Sequence, residues 1–278
     1  MRTELWRFGA LLRKEFIEHR NLFVVTPAVF SLLMLLIGYL IVLALPESNE
    51  RVLLEQASGL LLDLPLRSAA IFPVLLSAPF APALFLTSII YLTVCLYQDR
   101  KDRSFLFWQS MPVSDWHAVL ARVVTTVFVI PAIAAAFLLI CLLALTLWLQ
   151  FAASRFDLPF AFGKTLLLAL DGTVLFYCFA WLHGLLFMPI IGWFLLFSAW
   201  SRRVPFLWAV GVLCILALLE AWLLDSIYFV YWMNWSAREL VLGYPDIFST
   251  LFSYDMLIAL ALGGVLLWGA ALMRRFND

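Results

Sequence analysis

The stretch LFVVTPAVFSLLMLLIGYLIVLAL, residues 22–45, carries no charged side chain from end to end. One helical span of a bilayer core needs about 20 mostly apolar residues, so this stretch is long enough to cross a membrane. It is also long for the core of a signal peptide, and it ends at Pro46-Glu47 without a small-residue cleavage site. We therefore expect it to be a retained transmembrane helix.

The rest of the chain shares this apolar character. Of its 278 residues, 65% are hydrophobic and 13% are charged, whereas soluble domains are about half apolar and about a quarter charged. No polar segment reaches the ~50 residues of a small soluble domain, which excludes an ordinary soluble enzyme and predicts one transmembrane domain over residues 1–278. The predicted fold is an all-α integral membrane protein whose six spans are residues 22–45, 69–97, 119–150, 166–200, 205–224 and 253–273.

Basic residues indicate the orientation, because they concentrate in cytoplasmic loops. With six spans and a cytoplasmic N-terminus, only Arg51, Arg67, Arg155, Lys164 and Arg238 of the 18 basic residues fall outside. Both termini are then predicted to be cytoplasmic. The run 166–200 is longer than a span requires, so it is either one long helix or two short spans that meet near His183-Gly184. A count of six spans places more of the basic residues in the cytoplasm than a division of this run into two spans would.

The sequence lacks the residues that several functional classes require. Basic and acidic residues are equal in number, 18 of each, so the net charge does not favour nucleic-acid binding. Cys95, Cys141, Cys178 and Cys214 lie in apolar runs without metal-ligand spacing. His183 is the only histidine within a predicted span, which leaves no pair for haem or for an H-E-x-x-H site. The triplet at residues 163–165, GKT, ends like a nucleotide-binding loop but lacks the first glycine of that motif.

Residues 1–21 form a charged segment directly before the first span. Leu5, Phe8, Leu12 and Phe16 recur at steps of three and four, which places them on one face of a helix. A basic amphipathic helix that leads into a span is expected to lie along the cytoplasmic interface.

The segment between the second and third spans, residues 98–118, reads QDRKDRSFLFWQSMPVSDWHA. Charged residues open it, an apolar group follows, and Ser114-Asp115 has the residue types of a helix N-terminus. Aromatic side chains beside charge are typical of interface centres, so the segment is predicted to be a docking surface. The alternative is that its apolar part lies among lipid headgroups.

Three acids occur at membrane depth, namely Asp171, Glu220 and Asp255. Ionisable groups inside a membrane usually face a bundle interior or a water-filled cavity. They are candidates for a substrate path. The alternative, to which the sequence gives equal weight, is that they lie at the membrane interface, where water reaches them.

Taken together, LRKEF at residues 12–16, the loop at residues 99–115 and SAWSRRVPFLW at residues 198–208 resemble bacterial ABC transporter permeases of the type-2 exporter class. The resemblance covers essentially the whole chain, and the loop is its most specific part. It departs from better-known members in its short segment 225–252, where they carry a larger external domain.

This resemblance implies a permease subunit in the bacterial inner membrane that pairs with a second permease copy and with two ATPase subunits. ATP and Mg²⁺ are then bound by the ATPase subunits, and this chain binds no cofactor and is not itself an enzyme. Family position assigns the ATPase-coupling residues as Lys14, Glu15, Asp99, Arg100, Lys101, Asp102, Arg103, Phe105, Trp108, Pro112, Ser114 and Asp115.

Two other functions remain open on the sequence. The first is a non-transporting scaffold or sensor whose segment 98–118 recruits a cytoplasmic partner. The second is an intramembrane enzyme that acts on lipid through the three membrane-depth acids, although no nucleophile or metal set accompanies them. The residues do not define a substrate.

Overall fold

The computed structural model describes residues 2–44, 46–63, 76–101, 114–201, 203–224 and 249–276. Helix dominates these residues, and no strand occurs among them. The predicted all-α class is therefore confirmed. The helices are α1 (Arg2–Glu18), α2 (Arg20–Ala44), α3 (Glu47–Asp63), α4 (Phe80–Lys101), α5 (Asp115–Val124), α6 (Ile130–Arg155), α7 (Phe162–Leu186), α8 (Met188–Trp200), α9 (Pro205–Leu224) and α10 (Tyr254–Phe276).

Among the residues that the structure describes, six helical segments are long and apolar enough to cross a membrane, in agreement with the predicted number. The fifth predicted span matches α9, and the sixth begins and ends within a few residues of α10. Residues 69–75 of the second predicted span lie outside the described part, and within that part α4 begins at Phe80. The candidate spans are Arg20–Ile41, Phe80–Asp99, Asp115–Arg155, Phe162–Leu186, Pro205–Leu223 and Tyr254–Arg275.

The third span is part of a 41-residue helical segment, Asp115–Arg155. At 1.5 Å per residue it is about 60 Å long, twice the thickness of a bilayer core of ~30 Å. Its α5 and α6 parts are joined by a π-helical segment, Thr125–Val129, in which the Ile130 N–H donates to the Thr125 carbonyl five residues back. Pro131 has no N–H to donate to Val127, which accounts for the local change of hydrogen-bond spacing.

The predicted run 166–200 is not one helix. It divides at Phe187 into α7 and the shorter α8, so the single span predicted over 166–200 is wrong, and the division lies four residues after His183, where the alternative of two short spans placed it. Pro189 lies in the first turn of α8. Its ring has no N–H and clashes with the carbonyl four residues earlier, so α7 cannot continue through this point.

The chain forms two compact units. Unit 1 comprises Met1–Arg20, Thr87–Ile130 and Phe179–Asp278, and unit 2 comprises Asn21–Leu86 and Pro131–Cys178. Within unit 2, Phe80, Leu138, Cys141 and Phe176 belong to one buried apolar core. The Phe80 and Phe176 rings meet edge to face at 6.1 Å, a favoured aromatic geometry.

In unit 1, α8 and α10 pack at close range because glycines line their contact. A Cβ atom on Gly192 would lie 2.8 Å from the Leu266 Cβ, and one on Gly263 would lie 2.8 Å from the carbonyl carbon of Met188. Small residues allow helix backbones to approach one another in membranes. On another side of α8, the buried Ser198 hydroxyl donates to the Thr93 carbonyl of α4 at 2.9 Å.

Candidate functional site

Arg122 is the centre of a buried group of charges in unit 1. It lies in the second turn of α5, and its side chain is only 3% exposed. One terminal nitrogen, Nη2, lies 3.1 Å from Glu15 Oε1 and also pairs with Asp99 Oδ2. The other, Nη1, donates to the Ala118 carbonyl of its own helix at 2.8 Å. One guanidinium therefore joins α5 to carboxylates on both α1 and α4.

Lys14 and Tyr91 complete this arrangement. Lys14 Nζ donates to the second Asp99 oxygen, Oδ1, at 3.0 Å, and the Tyr91 hydroxyl donates to Glu15 Oε2 at 2.8 Å. Lys14, Glu15, Asp99 and Arg122 are called the charge cluster below. Their two positive and two negative charges cancel, which is the condition under which buried charges are tolerated.

The position of the charge cluster along the chain gives it functional interest. Asp99 lies two residues before the end of α4, where the segment 98–118 begins. Arg122 lies in α5, just beyond the other end of that segment. Both residues pair with adjacent residues of α1, Lys14 and Glu15. The two ends of the predicted docking segment are thus held against the N-terminal helix.

The start of α5 is fixed by a cap and a further ion pair. Ser114 has extended backbone angles, and its hydroxyl accepts a hydrogen bond from the His117 N–H at 3.4 Å. The predicted helix N-terminus at Ser114-Asp115 is therefore confirmed. Arg274 Nε, near the end of α10, lies 3.5 Å from Asp115 Oδ1, so α10 also contributes a charge at this end of unit 1.

Burial shifts the pKa of two groups beside the charge cluster, both outside the candidate spans. It raises the pKa of the Glu18 carboxyl, although Lys14, 3.3 Å away, favours the ionised form. It lowers the pKa of the His19 imidazole, whose ring meets the Tyr91 ring edge to face at 5.1 Å. His19 is therefore neutral near pH 7.

Glu15, Glu18 and His19 also lie close enough together to be considered as ligands of one metal ion. One ligand atom from each lies within 4.8 Å of the others. Lys14 lies 3.3 Å from Glu18 Oε2, and Arg122 lies 3.1 Å from Glu15 Oε1. Since both carboxylates already face a cation, the charges favour an ion-pair network over a metal site.

The structure brings together three of the residues that the resemblance assigned to ATPase coupling, Lys14, Glu15 and Asp99. Glu15 and Asp99 are buried, with 2% and 7% of their surface exposed. Lys101 is exposed at the end of α4, and Ser114 and Asp115 begin α5. The side chain of Arg100 lies outside the described part. So do the remaining assigned residues, which are Asp102, Arg103, Phe105, Trp108 and Pro112.

Sequence reasoning missed Arg122 and Tyr91 as members of a site. Arg122 entered only as one of the basic residues that set the orientation, yet it is a charge within an otherwise apolar predicted span. Such charges are almost always paired, and that signal was available. Tyr91 has no comparable signal, because tyrosines are common in membrane helices.

The three membrane-depth acids lie on other helices. Asp171 is in α7 and belongs to unit 2, Glu220 is in α9, and Asp255 is in the first turn of α10. All three are partly exposed. Their role as a substrate path stays a prediction.

A scan of the chain against protein-family models finds no match, and searches of curated proteins and of solved structures find no match either.

Proposed function

We propose that the chain is the transmembrane permease subunit of an ATP-driven ABC exporter in the inner membrane of a bacterium. The observation that carries the proposal is the charge cluster, because it connects both ends of segment 98–118 to α1. A segment that only connects two spans needs no buried ion pairs at its ends. A segment that receives mechanical force from a partner needs rigid attachment, and paired charges on three helices supply it.

The proposed complex contains two copies of a permease and two ATPase subunits. The whole chain, residues 1–278, serves as the permease domain, with both termini in the cytoplasm and α1 at the cytoplasmic interface. ATP and Mg²⁺ belong to the ATPase subunits. The partly exposed acids of α7, α9 and α10 are candidates for contact with a cationic group of the substrate.

In the proposed mechanism, closure of the ATPase subunits displaces segment 98–118. Asp99 and Arg122 share ion pairs with α1, so α1, α4 and α5 move as one body. Glu15 and Asp99 act as positioning residues because they are buried, whereas Lys101 is exposed at the end of α4 and is available to the partner.

Charge reversal in segment 98–118 tests this proposal. Replacing Arg100, Lys101 and Arg103 with glutamate should remove most of the dependence of the partner's ATP hydrolysis on this chain, since it reverses the charge presented to the ATPase. The measurement is the ATPase rate of the purified complex in lipid vesicles.

The matched control reverses Arg51, Arg155 and Lys164, which carry the same total charge on the predicted external side. This control should insert normally and keep the ATPase rate. An unchanged rate in the cytoplasmic variant would contradict the proposal. A segment-binding partner without ATPase activity would instead favour the scaffold function.

A further inference from the structure

The charge cluster fixes how α1 is rotated about its own axis. Glu15 and Leu11 face the rest of unit 1, with 2% and 8% of their surface exposed. Phe8 and Leu12 are half-buried beside them. Phe8 and Leu12 belong to the stripe that helical spacing predicted on one face of α1, and this stripe is therefore turned partly toward the protein.

A different stripe faces outward. Trp6, Ala10, Arg13 and Ile17 recur at steps of four and three, which places them on one side of the helix, and all of them are exposed. Trp6 is 78% exposed and Ile17 is 54% exposed. Arg20, the first residue of α2, follows three residues after Ile17 and is also exposed. We call the exposed stripe of α1 together with the adjoining Arg20 the outer face of α1; it combines apolar side chains with two arginines and contains no acid.

The outer face lies next to a membrane span in the chain, because Arg20 is the first residue of the candidate span Arg20–Ile41. Its basic side chains are therefore within a few residues of the bilayer surface. Tryptophan is enriched at that depth, and arginines there are attracted to anionic headgroups. Glu18, an exposed acid near the end of α1, pairs with Lys14 and lies outside this stripe.

We propose that the outer face of α1, formed by Trp6, Arg13, Ile17 and Arg20, binds the headgroups of anionic phospholipids in the cytoplasmic leaflet. Trp6 and Ile17 insert among the upper acyl chains, and the two guanidiniums pair with lipid phosphates. The inference rests on the membrane orientation given in the proposed function, but it does not require an ATPase partner. It gives α1 two attachments, to the bundle through the charge cluster and to the lipid through its outer face.

Lipid titration of the purified full chain in detergent tests the inference. We expect the wild type to bind phosphatidylglycerol more tightly than phosphatidylcholine, with native mass spectrometry as the measurement. The double variant Arg13→Gln/Arg20→Gln should lose roughly 30-fold in affinity for phosphatidylglycerol, since each basic side chain near an anionic surface contributes a factor of about five. Binding of phosphatidylcholine should change little.

The control is the double variant Arg203→Gln/Arg275→Gln. It removes two exposed arginines, of which Arg203 lies just before α9 and Arg275 lies near the end of α10. It should retain the preference for phosphatidylglycerol. Equal losses in both variants would overturn the inference, as would no loss in either. So would retained lipid binding with loss of a bound protein subunit, because the outer face would then be a protein-docking surface.

If the α1 variant does not fold, a measurement on the wild type alone still tests the inference. Its preference for phosphatidylglycerol should fall as salt is raised, because exposed charge pairs are screened, and a salt-independent preference would contradict the inference. No ATPase is present in these assays. Failure here therefore leaves the exporter proposal standing, and absence of an ATPase partner leaves the lipid result standing.

Discussion

Replacement of Arg122 with leucine should lower the free energy of unfolding by about 3–5 kcal/mol, the usual cost of removing one partner from a buried ion pair. The variant leaves Glu15 and Asp99 buried without the guanidinium that they share. Tyr91 and Lys14 remain beside them, but a phenol donates only one hydrogen bond and Lys14 contacts the opposite oxygen of Asp99. The measurement is chemical denaturation in detergent micelles, followed by circular dichroism.

Arg13→Leu is the matched control, because it makes the same chemical change on the exposed side of α1. Exposed substitutions usually change stability by about 0.5 kcal/mol or less. In the Arg122→Leu background, Glu15→Gln should recover part of the loss by removing a buried charge whose remaining cation, Lys14, is 3.8 Å away and is shared with Asp99. Equal stability of the Arg122→Leu and Arg13→Leu variants would show that the charge cluster does not hold α1, α4 and α5 together.

Gly263→Ala should destabilise the protein by about 1–3 kcal/mol, the usual cost of overpacking a tight contact. The added methyl would lie 2.8 Å from the carbonyl carbon of Met188, so α8 and α10 have to separate. Backbone atoms of α8 cannot move aside as the end of a flexible side chain does. The loss of stability is measured by the same denaturation.

The next residue along the chain gives the control. A Cβ on Gly264 meets no atom within 4 Å, and alanine favours a helix over glycine by about 1 kcal/mol. Gly264→Ala should therefore be neutral or stabilising. If Gly263→Ala is as stable as Gly264→Ala, the close contact of α8 with α10 is not as tight as described.

Most of the helix pattern was predictable because hydrophobic runs and breakers determine it locally. The fifth span agrees with α9 from Pro205 to Leu224, since proline and charge punctuate both ends. The break at Phe187 was only approximately predictable: Pro189 marks the region, but the exact residue depends on how the helix ends resolve their hydrogen bonds. The π-helical segment at Thr125–Val129 was not predicted, although Pro131 is visible in the sequence.

The candidate site was only half predictable. The resemblance singled out Lys14, Glu15 and Asp99. It did not predict that they contact one another, because that contact depends on tertiary packing over long sequence separations. The rotation of α1 about its own axis was not predictable for the same reason. Helical spacing placed Phe8, Leu12 and Phe16 on one face of a helix, and the pairing of Glu15 with Arg122 turns part of that face inward.

Purification of the chain from its native membrane tests whether it transmits work from a separate ATPase. A protein with nucleotide-binding motifs should co-purify in equal amount, and its ATP hydrolysis in lipid vesicles should change when this chain is removed. A chain that purifies with no ATPase, or an ATPase whose rate is the same with and without it, would show that this chain is not the permease subunit of an ATP-driven exporter.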